Sequence, residues 1–154
     1  MRRPFRLLSL CCLLAVTLSA QAATGRIIKV LPQLLDRQGR NSLSPSLYER
    51  DAYQAYLRQH PDGISGMRFN VQWKGRGRNA GPLKLRVEFR GLPQGDVPRA
   101  LSLEQGVSPT GWFGRWTALT LSGDEYKKIG AVTAWRVTLW EGDQLLGGQQ
   151  SFLW

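Results

Sequence analysis

Seven cationic side chains lie within one short stretch of the chain: Arg68, Lys74, Arg76, Arg78, Lys84, Arg86 and Arg90. Grouped on one surface, they would hold a phosphate-rich or otherwise polyanionic polymer by charge. The plainer reading is that outward Lys and Arg keep sheet faces and edges solvated and unpaired. Gly75-Arg76-Gly77-Arg78 is not a phosphate loop, which needs a lysine followed by serine or threonine at the start of a helix. Trp112, Phe113 and Trp116 form a second group, in or beside a glycine-rich loop. Exposed, they would stack on sugar rings. The expectation is that they plug one end of the core, since tryptophan is usually well buried.

Catalytic chemistry has fewer candidates. His60 is the only histidine, and it precedes a proline at an expected helix end. It reads as a cap or a solvated residue near the negative end of the helix dipole. Without a second histidine or a retained cysteine it cannot complete a transition-metal site. No serine sits in a G-x-S-x-G elbow. The acidic pairs Glu49/Asp51, Asp124/Glu125 and Glu141/Asp143 fall at a helix start, a turn and a hairpin, where structure accounts for them. The expectation is therefore a non-enzymatic protein, with no catalytic residue, no metal and no cofactor.

The first 22 residues read as a secretory signal peptide. Arg2, Arg3 and Arg6 precede the uncharged run Leu7–Ala20, and Ala20-Gln21-Ala22 offers small residues for cleavage before Ala23. The run is short of the ~20 residues a membrane span needs. Leu10 stands before Cys11 where lipidation favours a small residue. Cleavage would remove Cys11 and Cys12 and leave residues 23–154 as one domain without disulfides. It would remove three of the 21 basic residues, which against 11 acidic ones leaves about +7. An exported protein, periplasmic or secreted, is expected. Its partner is unknown; an anionic envelope polymer or another envelope protein suits the charge.

Strands position most of these residues. Met67, Phe69, Val71 and Trp73 alternate with polar residues, as do Leu83, Leu85, Val87 and Phe89. A period of two with one apolar face is the mark of antiparallel sheet. The connector between them, Gly75 to Pro82, suits either a long hairpin or a crossing from one sheet to another. Arg26–Leu31 reads as a short strand, and the Pro32 that follows suits either an edge strand or a kink within one. Arg99–Glu104, Arg115–Ser122 and Thr133–Trp140 are further strands, with a helical turn at 123–130. Ser44-Pro45-Ser46 starts a helix of about 46–59. Its apolar face is read as Tyr48, Ala52, Ala55 and Tyr56. Gly142-Asp143 closes a hairpin. Pairing Glu141 with Gln144 would set Leu139 opposite Leu146, Val137 opposite Gly148 and Trp135 opposite Gln150. Phe152 and Trp154 would share the side of Trp135, and Gly147 and Gly148 would make room for that indole.

Residues 66–154 resemble an immunoglobulin-like or fibronectin type III-like β-sandwich, and Ala134–Trp154, AWRVTLWEGDQLLGGQQSFLW, resembles the closing hairpin of such domains. The leader, the segment SPSLYERDAYQAYLRQHP and that ending together are similar to small exported bacterial proteins of unassigned function. The resemblance implies a mainly β, antiparallel sandwich of six to seven strands, with the helix inserted before the main strands. The paired cysteines of antibody domains are absent, and Tyr126 lies too far from Trp135 for the tyrosine corner. A fold resemblance carries no function. The expected role is a binding or accessory protein of the bacterial cell envelope. The alternatives are a polyanion-binding module on the basic residues of 68–90 and a carbohydrate-binding module through Trp112 and Trp116.

Overall fold

The computed structural model describes residues 24–76, 82–93, 97–110 and 113–154. The expected signal peptide, Arg78 and Trp112 lie outside them. The elements are β1 (Thr24–Asp36), α1 (Leu47–Gln59), a 3-10 turn (Pro61–Gly63), β2 (Ile64–Arg76), β3 (Leu83–Leu92), β4 (Arg99–Val107), β5 (Arg115–Ser122), α2 (Gly123–Ile129), β6 (Ala131–Glu141) and β7 (Gln144–Gln150). They form a mainly β sandwich of two antiparallel sheets. One has the order β1-β2-β5, the other β4-β3-β6-β7. The helix before the main strands is where the sequence places it.

Alternation on β2 and β3 builds the core. Phe69, Val71 and Trp73 meet Leu83, Leu85, Val87 and Phe89, with Leu119 and Leu121 from β5 and Val137 and Leu139 from β6. Phe69 makes edge-on contact with Phe89 at 5.1 Å and with Trp135 at 6.0 Å between ring centroids. Each such buried side chain contributes roughly 1.5–3 kcal/mol. The Trp73 indole N–H donates to Thr117 Oγ1 at 2.9 Å, so its polar atom stays satisfied inside the core. Because β2 and β3 belong to different sheets, the connector between them is a crossing and not a hairpin.

β1 is an edge strand, and α1 covers part of its open side. Gln54 Oε1 accepts from the Leu34 N–H at 2.7 Å, while its Nε2 donates to the Leu34 C=O and the Asn41 C=O, both at 2.9 Å. The side-chain amide thus takes the place of a neighbouring strand. Since Leu34 turns its backbone groups outward, so does Pro32 two residues earlier, and the ladder to β2 loses no donor there.

This changes the expected face of the helix. Tyr48 is 83% exposed, and Ala52, Ala55 and Tyr56 also face solvent. The buried side is Gln54 and Leu57, flanked by Tyr53 and Arg50. Hydrogen-bond demand at the strand edge outweighs the apolar stripe. Ser46 caps the helix as expected, accepting from the Glu49 N–H at 3.5 Å.

The closing hairpin also departs from expectation. Glu141 pairs with Gln144, but the register slips between Trp140 and Leu139. Leu139 then stands opposite Gly147, Val137 opposite Gln149, and Gln150 opposite Arg136 rather than Trp135. The extra residue is Leu146, which packs against the core. Gly25 of β1 makes that possible, because a Cβ there would come within 2.9 Å of the Leu146 Cβ. Gly147 makes room for β1 and not for Trp135: its Cβ would sit 3.0 Å from the Gly25 carbonyl oxygen. Phe152 is fully exposed, and Trp154 lies on the outer face of the four-stranded sheet beneath Arg90 and Arg136.

Replacing Gln54 by alanine leaves the Leu34 groups and the Asn41 carbonyl without that partner. The expected loss is about 2–3 kcal/mol of stability in urea unfolding, with faster hydrogen exchange at the Leu34 amide. Tyr48→Ala is expected to stay within about 0.5 kcal/mol. An equal loss at Tyr48 would return the buried face to the apolar stripe.

Candidate functional site

The crossing between β2 and β3 sends the expected basic cluster to opposite sides of the sandwich. Arg68 and Lys74 project from the outer face of the three-stranded sheet. Lys84, Arg86 and Arg90 project from the outer face of the four-stranded one. Arg76 ends β2, beside a recess also lined by Thr24, Gly25, Arg26 and Lys74. The cluster is therefore not one patch.

The two faces differ in how their charge is met. On the four-stranded sheet, Glu104 of β4 accepts from Arg86 Nε at 2.6 Å and from Lys84 Nζ at 3.3 Å. These bonds hold its carboxyl below the usual range. Arg136 Nε donates to Glu88 Oε2 at 2.8 Å, Arg86 lies 5.3 Å from the Trp140 ring centre, and Arg90 lies 4.3 Å from that of Trp154. Cation, carboxylate and indole satisfy one another there.

Four cations on the three-stranded sheet lack such compensation among the described residues. Register places Arg26 opposite Lys74, Lys29 opposite Gln72 and Gln33 opposite Arg68. Arg26, Lys29, Arg68 and Lys74 make no ion pair with a carboxylate of the described residues. Like charges directly opposite, as at Arg26 and Lys74, are destabilising.

Beside these cations runs a chain of amides. Gln33 is only 7% exposed although it lies on the outer side of the sheet. Its Oε1 accepts from Asn41 Nδ2 at 2.6 Å and from Asn70 Nδ2 at 2.8 Å. Asn70 Oδ1 in turn accepts from Arg68 Nε at 3.1 Å. On β5, Trp116 stands opposite Gln72 and is 52% exposed. Arg50 reaches in from α1. Its Nε is buried without a hydrogen bond, and its nearest carboxylate, Asp51, is 3.6 Å away. Gln33, Asn41, Arg50, Arg68, Asn70 and Trp116, with Leu31 beneath, surround a shallow recess of about 300 Å³.

Asp36 fixes the rim of this recess. It ends β1 and is 4% exposed. Its carboxylate accepts from the N–H groups of Gln38 and Arg40 at 2.8 and 2.9 Å, from Arg40 Nε at 2.8 Å and from the Tyr53 hydroxyl at 2.7 Å. Burial alone would raise its pKa. The bonds from the Arg40 backbone, Tyr53, the Arg40 guanidinium and the Gln38 backbone outweigh that and hold it at about 2. The same bond pushes Tyr53 above its usual value. One carboxylate thus ties the turn that carries Asn41 to the helix that carries Arg50.

Phe113 and Trp116 do not plug the core. Phe113 is 88% exposed, and β5 turns Thr117, Leu119 and Leu121 inward, which sends Trp116 out. His60 Nδ1 lies 2.9 Å from the Tyr56 carbonyl oxygen, and the ring stacks on Tyr56 at 4.1 Å, so it closes the helix end. Among the described residues no group of three or more His, Cys, Asp or Glu is placed to hold a metal ion, and no helix is long and apolar enough to cross a membrane. Gln33, Asn41 and Arg50 are site residues that sequence reasoning missed. The one local signal was the polar stripe Arg50, Tyr53, Gln54 on α1. Comparison of the chain with protein-family models, with curated proteins and with solved structures returns no match.

The Asp36 pKa sets a sign for acid stability. Its folded value lies below the ordinary 3.8, so its contribution is complete above about pH 4 and is lost as pH falls toward 2. The urea midpoint of the protein is expected to drop across that interval, and that of Asp36→Asn to drop less steeply. Equal slopes for the two proteins would contradict the assignment.

Proposed function

We propose that the protein acts by binding rather than turnover, in an exported setting at the cell envelope, and that its ligand is an acidic polysaccharide laid along the outer face of the three-stranded sheet. The observation that carries this reading is the meeting of uncompensated cations with an exposed indole on one face. On the opposite face, Lys84, Arg86 and Arg136 have their charge already met by Glu104 and Glu88.

Each part has a chemical counterpart in such a ligand. The apolar C–H side of a sugar ring would lie against Trp116. Its carboxylate or sulfate groups would meet Arg68 and Arg50 in charge-assisted hydrogen bonds. Its hydroxyls would exchange bonds with Asn41, Asn70 and Gln72. Further along the chain, an anionic group near Arg26 and Lys74 would relieve their repulsion. The two alternatives taken from the sequence, polyanion and glycan, thereby become one ligand class on one surface.

The fold supports an immunoglobulin-related reading in its fibronectin type III-like form. The fourth strand pairs with the third in the second sheet. Constant-type immunoglobulin domains place it in the first.

The test is affinity for an acidic oligosaccharide, such as an oligogalacturonate, measured by calorimetry. Trp116→Ala and Arg68→Ser are each expected to weaken binding about tenfold, equivalent to about 1.4 kcal/mol. The double variant Lys84→Ser/Arg86→Ser is expected to stay within about twofold of the parent, a change of about 0.4 kcal/mol. Sensitivity to Arg68 without sensitivity to Trp116 would favour a purely electrostatic polyanion site. Equal losses from the two faces would contradict the proposal.

A further inference from the structure

At the end of the sandwich away from Gly25, the core stays open. Phe69 and Phe89 are fully buried, yet the next inward residue of β2, Met67, is only half-buried, as are Val132 at the start of β6 and Tyr126 of α2. Leu34 at the end of β1 is half-buried too, and Leu92 at the end of β3 is 47% exposed. These side chains line a groove of about 1130 Å³. That is slightly above the ~300–1,000 Å³ common for ligand sites.

The rim of the groove is strongly cationic. Arg58 stands at the end of α1, Arg99 at the start of β4, and Lys127 and Lys128 in the last turn of α2, all exposed. Among the described lining residues, Asp62 is the only carboxylate. Lys127 reaches Asp124 at 3.9 Å, while Arg58 and Lys128 make no ion pair among the described residues.

We infer that this groove binds a fatty acid, its alkyl chain continuing the core between Leu34, Met67 and Val132 and its carboxylate held at the rim by Arg58, Arg99, Lys127 and Lys128. An apolar floor explains the chain, and an excess of cations over one carboxylate explains an anionic head. The space between stacked sheets is ~10 Å deep, which suits one alkyl chain rather than the paired chains of a phospholipid. Burying the chain here removes both its own apolar surface and that of the floor from water.

Methionine gives the site its own reporter. The chain has two methionines, Met1 in the leader and Met67 in the groove. Protein carrying 13C-methyl methionine would be titrated with octanoate, decanoate and dodecanoate below their micelle concentrations. A saturable shift of the Met67 methyl signal is expected, with affinity rising about fourfold for each added methylene. Dodecanol and dodecyltrimethylammonium are expected to bind at least tenfold more weakly than dodecanoate. The exposed substitutions Arg58→Glu and Lys128→Glu together are expected to cost dodecanoate at least tenfold while leaving the methyl signal of the free protein in place. Trp116→Ala is expected to leave fatty-acid binding unchanged, so failure here and failure of the polysaccharide proposal are separable. No Met67 shift, a shift independent of chain length, equal binding of the cationic amphiphile, or a response only to anionic phospholipid vesicles would each overturn the inference.

Discussion

The open edge of β1 is the constraint on which the rest of the molecule depends. A strand in that position presents backbone groups with no neighbouring strand, and leaving them buried and unmet would cost about 1–3 kcal/mol apiece. Gln54 meets two of them at Leu34, and that single side chain fixes where α1 must lie. Once the helix is there, Tyr53 reaches Asp36, the turn after β1 is closed, and Asn41 and Arg50 come to rest beside the sheet. At the other end of the same strand, Gly25 and Gly147 let β1 pack against β7. The recess next to Trp116 is thus a consequence of how one edge is covered.

Charge is distributed by topology. Alternation places cations outward along both β2 and β3, and the crossing between them then separates the two sets by the thickness of the sandwich. On the four-stranded side, Glu88 and Glu104 sit where Arg136, Arg86 and Lys84 can reach them. Exposed pairs of this kind add only about 0–1 kcal/mol each to stability. Their larger effect is to quiet the field of that face. On the three-stranded side, the positions across from the cations hold amides, threonine and more cations, so the field there stays positive.

Strands whose burial follows a simple period of two were legible in the sequence. β2, β3 and β5 carry their inward residues where alternation puts them, and even the outward direction of Trp116 follows from its place before Thr117. The expectation that it plugs the core rested on the habits of tryptophan in general and not on that parity. The face of α1 was not legible, because its anchor is polar: Gln54 is buried for its hydrogen bonds, and apolar periodicity cannot register that. Nor was the register of β7, since a one-residue bulge leaves no mark in a run such as Gln144-Leu145-Leu146-Gly147-Gly148. The basic cluster misled for a related reason. Nearness in sequence says nothing about which sheet a strand joins, and a connector rich in glycine suits a hairpin and a crossing equally well. Gln33 and Asn41 belong to the site only because β1 and the turn after it fold back beside β2.

The indole N–H signals report most directly on whether one face binds and the other does not. Trp116 lies on the outer side of the three-stranded sheet, while Trp140 and Trp154 lie on that of the four-stranded sheet. In a 15N-labelled protein titrated with an acidic oligosaccharide, the Trp116 indole signal is expected to move saturably, with the side-chain amides of Asn41 and Asn70, while those of Trp140 and Trp154 stay in place. Movement of Trp140 and Trp154 with a stationary Trp116 would contradict the division of the two faces.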